Sequence, residues 1–202
     1  MSGIGAEPEG ATPLDPDELE GLRFKHVSTR GELDELEQAN VQSGLMWLDR
    51  KRKHDVLTED AQRKIHRNLF GDVWTWAGTF RKTEKNIGID PLHVGVQLRS
   101  LLDDARYWAE NGTYSPLEAA ARFHHRLVYI HPFPNGNGRH SRIATDEYLK
   151  HHFGHPPIDW EGGFDLIHDN DRRDEYLKAL READRGEYAR LLAFVGVENA
   201  TQ

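Results

Sequence analysis

Residues 131–142 read HPFPNGNGRHSR, and the residue types in this run can hold a polyphosphate and remove a proton beside it. An imidazole titrates near neutrality, so His131 suits the role of general base toward an attacking hydroxyl. Gly136 and Gly138 permit a tight or left-handed backbone and close approach of a ligand. The first N–H groups of a helix have no partner within it, and a helix entered through these glycines presents an anion cradle. Arg139 and Arg142 are three apart and are expected on one face, where two guanidinium forks match phosphate oxygens. The side-chain amide of Asn137 can donate to an oxygen on a reacting phosphorus. Helix starts favour acidic side chains, whereas Arg139, His140 and Arg142 crowd this one, which calls for a bound anion. Taken singly, each residue has an ordinary structural role, and Phe133 between two prolines is read as a core anchor. The conjunction carries the functional reading.

The flanking elements must position this loop. Thr29 and Glu32 form a capping box that predicts a helix from about Arg30, with Leu33 and Leu36 opening its apolar face. Thr58 caps the next helix, in which Ala61, Ile65 and Leu69 recur every four residues. After WTWAG the pattern turns short and polar, and TFRKTEKNIGI is read as a small β-hairpin turning near Glu84–Asn86. Asp90-Pro91 opens another helix, with an apolar stripe from Val94 to Trp108 and a stop at Gly112. Ser115-Pro116-Leu117-Glu118 caps a helix expected to reach Ile130. The loop follows, then a helix from about Gly138 to Phe153 stopped by Gly154. Two closing helices are expected over 169–185 and 187–195. The fold class is therefore all-α with one hairpin.

The chain of 202 residues is 37% hydrophobic and 30% charged, with net charge -8 and no cysteine. It is long enough for one cored domain. The acidic balance excludes a broad nucleic-acid-binding surface, and the lack of cysteine excludes thiolate zinc sites, disulfides and a cysteine nucleophile. Neither a signal peptide nor a membrane-spanning apolar run is legible, so a cytoplasmic location is expected. The division expected is an extended N-terminal arm over 1–24, the main domain with a preceding helix over 25–196, and a tail over 197–202.

At His131, Phe133, Gly136, Asn137, Gly138, Arg139 and Arg142 the sequence resembles the Fic/Doc family, whose motif reads H-x-F-x-(D/E)-G-N-G-R-x-x-R. The N-terminal GATPLDPDELEGL and the stretch TRGELDELEQANV resemble the subgroup called mobile mystery protein B, associated with mobile elements. The family resemblance implies a helical bundle with a hairpin flap, and a protein adenylyltransferase that uses ATP and Mg²⁺ to place AMP on a Tyr, Thr or Ser hydroxyl of a target protein. It implies His131 as base, Gly136, Asn137 and Gly138 as anion hole, and Arg139 and Arg142 on the ATP phosphates. The flap, with Phe80, Arg81, Lys82, Thr83, Ile87 and Gly88, would pair with the target by strand addition. Asn135 stands where the family has its acidic metal ligand, and a neutral amide holds Mg²⁺ less well than a carboxylate. A lysine common in the kinase branch is absent at Gly138, which favours AMP transfer. Glu37 is the nearest counterpart of the family's inhibitory glutamate, which pairs with the second motif arginine, although the surrounding pattern departs from the family's.

Two other classes stay open. Asn135 favours a regulatory or binding module that keeps the fold without catalysis, or an enzyme with another nucleotide donor. His151 and His155, with His152 and the pair His124-His125, have spacing compatible with a metal-dependent hydrolase. Trp74, Trp76 and Phe80 are read as core, with Arg81 and Lys82 free to meet nucleotide or target.

Overall fold

The computed structural model describes residues 12–50, 55–162, 166 and 170–197. Residues 1–11 of the expected arm and 198–202 of the expected tail lie outside them. Among the described residues there is no strand, only an isolated antiparallel bridge between Leu22 and Trp74. The helices are α1 (Pro16–Leu19), α2 (Arg30–Asp49), α3 (Glu59–Phe70), α4 (Val94–Asn111), α5 (Pro116–Ile130), α6 (Asn137–Phe153), α7 (Asp171–Ala183) and α8 (Ala189–Phe194), with a 3-10 turn at Pro91–His93 before α4. None is long and apolar enough to cross a membrane.

The caps act where the sequence puts them. The Thr29 hydroxyl accepts from Glu32 N–H, Thr58 from Ala61 N–H, and Ser115 from Glu118 N–H. Each satisfies a donor that the first helical turn leaves without a partner. Asn170 caps α7 in the same way through Arg173 N–H, so that helix begins at Asp171. α4 ends on Gly112 at φ 59° and α6 on Gly154 at φ 62°, the left-handed geometry that closes a helix at little cost for glycine.

α5 and α6 form the middle of the molecule. One side of the pair, with Phe123, Leu127, Ile130, Ala144 and Tyr148, packs into a core shared with α2, α3, α4 and the buried Trp74. The opposite side, with Ala120, Ala121 and Leu149, packs against Trp160, α7 and α8. A helix apolar on nearly all sides is expected only in such a central position. α2 comes close to α3 at Gly44, where an added Cβ would fall 2.8 Å from Asn68 O.

Two expectations are corrected. The arm is not extended over its described part: residues 16–19 are helical, Leu22 is buried, and Arg23 N–H donates to Val73 O at 2.9 Å. The segment at 80–89 is an irregular loop, not a hairpin. Its carbonyls are gathered by one side chain instead of a cross-strand ladder. The buried Arg81 guanidinium donates to Thr83 O at 2.9 Å and to Ile89 O, which occupies the inside of the turn that a partner strand would need.

Three buried histidines hold the helices around the loop. His124 Nε2 meets the Tyr176 hydroxyl at 2.9 Å, His140 Nε2 meets Gln62 O at 3.2 Å, and His66 bridges the loop to Gly78. Burial drives His124 and His140 down to about 3 and His66 well below its ordinary value. The unfolded chain protonates these groups near pH 6.5 and the folded chain does not. Their contribution is therefore complete above that value and is lost as pH falls through it. Asp146 opposes this, because burial raises it to about 6, but it is one group against three. The thermal midpoint is expected to fall from pH 7 to pH 5, each histidine supplying up to about 1.4 kcal/mol per pH unit. A midpoint that rises over that range in a melting series would contradict neutral burial.

Candidate active site

α5 ends at His131, which has φ 53° and ψ 62° and is the one non-glycine residue of positive φ among those described. A left-handed conformation costs an L-residue about 1–2 kcal/mol, so surrounding contacts must impose it. Arg81 supplies them. Its Nε donates to His131 O at 2.6 Å, Nη2 donates to Ile130 O at 3.3 Å, and its backbone N–H donates to Pro132 O at 2.9 Å. Arg81 is thus a structural clamp under the histidine. Gly88, at φ 113°, closes over both: a Cβ there would fall 2.7 Å from Arg81 Nη2 and from His131 Cβ.

The His131 ring has a defined tautomer. Nδ1 faces Val128 O at 3.3 Å, and a carbonyl only accepts, so Nδ1 carries the hydrogen. Nε2 then has a free lone pair, and it faces the Thr12 hydroxyl at 2.8 Å. Burial lowers His131 to about 4, and the charges of Arg81 and Lys85 add to that effect against the Val128 hydrogen bond. The ring is an unprotonated acceptor at neutral pH, as a general base requires.

The two loop glycines have different reasons. Gly136 has φ 75°, and a Cβ on it would strike the Phe70 ring at 2.7 Å. Gly138 is helical, and a Cβ there would meet only Arg142 Nη1 at 3.7 Å. Backbone strain and core contact demand the first glycine, while the second leaves open space at the start of α6. Gly136 has no side chain with which to cap α6, so no cap covers that helix start.

Asn137 does not aim its amide outward. Its Oδ1 accepts from Phe133 N–H at 2.9 Å and its Nδ2 donates to Phe133 O at 2.7 Å, so the side chain staples the loop. Phe133 is the anchor the sequence suggested, fully buried and stacked on His66 at 3.8 Å. Asn135 is also engaged: Oδ1 accepts from Gly136 N–H at 2.6 Å and Nδ2 donates to Thr12 O at 2.8 Å. As arranged, these residues do not fit a magnesium ion. The loop has no carboxylate, and its two neutral amide oxygens, on Asn135 and Asn137, already have donors. Among the described residues no group of three His, Cys, Asp or Glu could hold a metal. His151 pairs with Glu147 at 3.1 Å, whereas His155 meets Pro156 O at 2.7 Å, so the two histidines do not converge.

The arginines also diverge. Arg139 lies over the Phe70 ring at 4.7 Å and pairs with Glu37 Oε2 at 2.5 Å, while Glu37 Oε1 accepts from Trp74 Nε1 at 2.6 Å. Arg142 has its Nη1 near the helix start instead, 3.7 Å from where a Cβ on Gly138 would fall. Glu37 thus meets the first arginine, not the second that the resemblance implied. His140 is neutral and adds no charge, so the cationic crowding read from the sequence is smaller in the fold. In the flap, Phe80 packs on Phe133 with ring centroids 5.9 Å apart, Lys82 and Thr83 are exposed, and Ile87 is half-buried. Sequence reasoning missed Thr12, 119 positions from His131, and Lys85, whose side chain is 2% exposed and reaches Asp15 and Glu18. No periodicity or motif marks either one.

Residues 56–149 match the Fic/DOC family model. The chain is 29% identical over 152 residues to protein adenylyltransferase fic-1 of Caenorhabditis elegans, covering 71% of this chain and 27% of that protein. It is 30% identical over 147 residues to protein adenylyltransferase Fic of Nematostella vectensis, covering 71% and 32%. The chain spans about a third or less of the length of these curated relatives. Among solved structures, Fic-1 (residues 134–508) from C. elegans superposes with TM-score 0.64 at 25% identity, covering 87% of this chain and 51% of that one. The N-terminal FIC domain of Bep8 from Bartonella sp. 1-1C gives TM-score 0.69 at 15% identity, covering 87% and 88%, a likeness of fold.

The glycine geometry predicts opposite outcomes for one substitution. Gly136→Ala should cost roughly 2–4 kcal/mol from left-handed strain and overpacking on Phe70. Gly138→Ala should leave stability equal or raise it by up to about 1 kcal/mol, as Ala replaces Gly in a helix. Denaturant unfolding of both variants checks this, and equal losses would refute the distinction.

Proposed function

We propose that residues 56–149, which match the Fic/DOC family model, form the centre of a protein adenylyltransferase that moves AMP from ATP to a side-chain hydroxyl and releases pyrophosphate. The observation that carries this reading is the His131 Nε2 lone pair, already accepting from a hydroxyl at 2.8 Å beside a helix start that no side chain caps. The names of the curated relatives agree with it. His131 takes the hydroxyl proton while the oxygen attacks the α-phosphorus. The backbone N–H groups at Asn137, Gly138 and Arg139 face the charge that develops on the phosphate. Asn137 acts through its backbone and by holding the loop shut. The room beside Gly138 admits the phosphates, where Arg142 binds them and Arg139 joins once Glu37 yields. The loop at 80–89 presents the target segment next to His131. The domain so formed runs from 25 to 196, and its kinship to the mobile mystery protein B subgroup rests on the N-terminal stretches alone.

The Asn135 geometry favours one further reading, a nucleotide-binding module without transfer. Calorimetry separates binding from chemistry: a module binds ATP through Arg139 and Arg142 and leaves it intact.

Three outcomes are expected. Incubation with labelled ATP, magnesium chloride and lysate should label protein, and His131→Ala should lose at least a hundredfold in rate, the usual worth of a general base. Equal labelling by both would remove the assigned role. Intact mass after a panel of nucleotides should show AMP as the added group, and a different mass would name another donor. Glu37→Gln keeps an acceptor for Trp74 while removing the charge that holds Arg139. Its initial rate should rise several-fold, and an unchanged rate would show that Glu37 is only structural.

A further inference from the structure

The hydroxyl seated on His131 belongs to the chain itself. We propose that Thr12 is an acceptor for this active site, so that the protein adenylylates its own N-terminal segment in cis. This rests on the adenylyltransferase reading and adds the identity of one substrate hydroxyl.

The placement of Thr12 is built by several contacts along the segment. Thr12 is buried, its Oγ1 is 2.8 Å from His131 Nε2, and its carbonyl accepts from Asn135 Nδ2 at 2.8 Å. One residue on, Pro13 O accepts from Lys85 Nζ at 3.2 Å. Asp15 Oδ2 accepts from Thr83 Oγ1 at 2.7 Å and from Lys85 Nζ at 2.9 Å, and Glu18 Oε2 accepts from the same ammonium at 2.5 Å. Glu18 O then accepts from Trp76 Nε1 at 2.9 Å, and the Leu22–Trp74 bridge ties the strand-like exit to the core. The segment is thus fixed by the catalytic loop at one end and the flap along its length, which are the two elements a target must engage. These contacts also account for the otherwise unexplained burial of Lys85 among two carboxylates and a carbonyl.

The tautomer sets the direction of the bond. Val128 O holds the hydrogen on Nδ1, so Nε2 accepts and the Thr12 hydroxyl donates. In the reaction Oγ1 forms a bond to the α-phosphorus of ATP. The bond from that phosphorus to the oxygen bridging the β-phosphate breaks, pyrophosphate leaves with the electron pair, and the hydroxyl proton passes to His131 Nε2. Tethering a few residues away through α1 makes the step intramolecular, with the high effective concentration of a short linker. A foreign target reaches His131 only after the segment leaves.

The test is incubation of the full chain with ATP and magnesium chloride, with and without lysate, followed by peptide mass spectrometry at several protein concentrations. AMP on Thr12, formed at a rate per molecule independent of protein concentration, is the expected result. Thr12→Ser should retain the adduct at that position and Thr12→Ala should lose it. AMP on other residues or on lysate proteins with none on Thr12 overturns the proposal and leaves the adenylyltransferase reading standing. The same holds if Thr12→Ala only speeds transfer to other proteins, for the segment is then a plug and not a substrate. Absence of AMP from every protein overturns both.

Discussion

The site depends on one buried cation. Arg81 spreads its guanidinium over the carbonyls of Ile130, His131, Thr83 and Ile89. Two of these are at the end of α5, where the helix dipole places negative charge, and two belong to the flap. A guanidinium can be buried when its donors find acceptors, and here the acceptors are the groups that must be brought together. The left-handed turn at His131 follows from this grip. It ends α5, sends the chain back toward α6, and turns the imidazole edge to the place where a hydroxyl sits. Backbone strain is tolerated when its surroundings over-determine it, and Arg81 does so with both its side chain and its backbone.

Neutrality is the second theme around the loop. His66, His124, His131 and His140 are all held uncharged by burial, which removes positive charge from the loop's underside. Arg139 is matched by Glu37, and Arg142 has its Nη1 beside Gly138. The anion site read from residue types therefore reduces to a helix start, open space with Arg142 at Gly138, and an Arg139 restrained by Glu37. An anion would reach Arg139 only by displacing Glu37, which lies on α2. The segment at 12–18 covers the same loop, with carboxylates on Lys85 and a hydroxyl on His131.

The helices were legible because their ends are written in local chemistry. Thr29, Thr58 and Ser115 satisfy backbone donors within three residues of themselves, and Gly112 and Gly154 supply the closing conformation. The flap was misread because TFRKTEKNIGI has the polarity and turn residues of a hairpin, whereas its backbone is satisfied by a side chain inside the turn. Asn137 was read as an outward donor since its neighbours suggested phosphate, but the closest acceptor and donor are those of Phe133, four residues back. Glu37 reaches a motif arginine, but it is Arg139 and not the Arg142 that the resemblance implied. Which arginine it reaches depends on how α2 lies against α6, and no spacing within either helix carries that.

What the sequence by itself determined is the set of local units: capped helices, a glycine turn at Gly136, and a histidine ahead of a helix start. These depend on interactions spanning a few residues, so residue type and spacing suffice. The tertiary structure decided what faces His131. The Thr12 hydroxyl, the Arg81 guanidinium, Lys85 and Glu37 arrive from segments distant in the chain, and their positions follow from the packing of α1, α2 and the flap around the α5–α6 pair. Long-range placement is set by the shape of the buried core and by which polar groups need partners once inside it, and neither quantity is local to any motif.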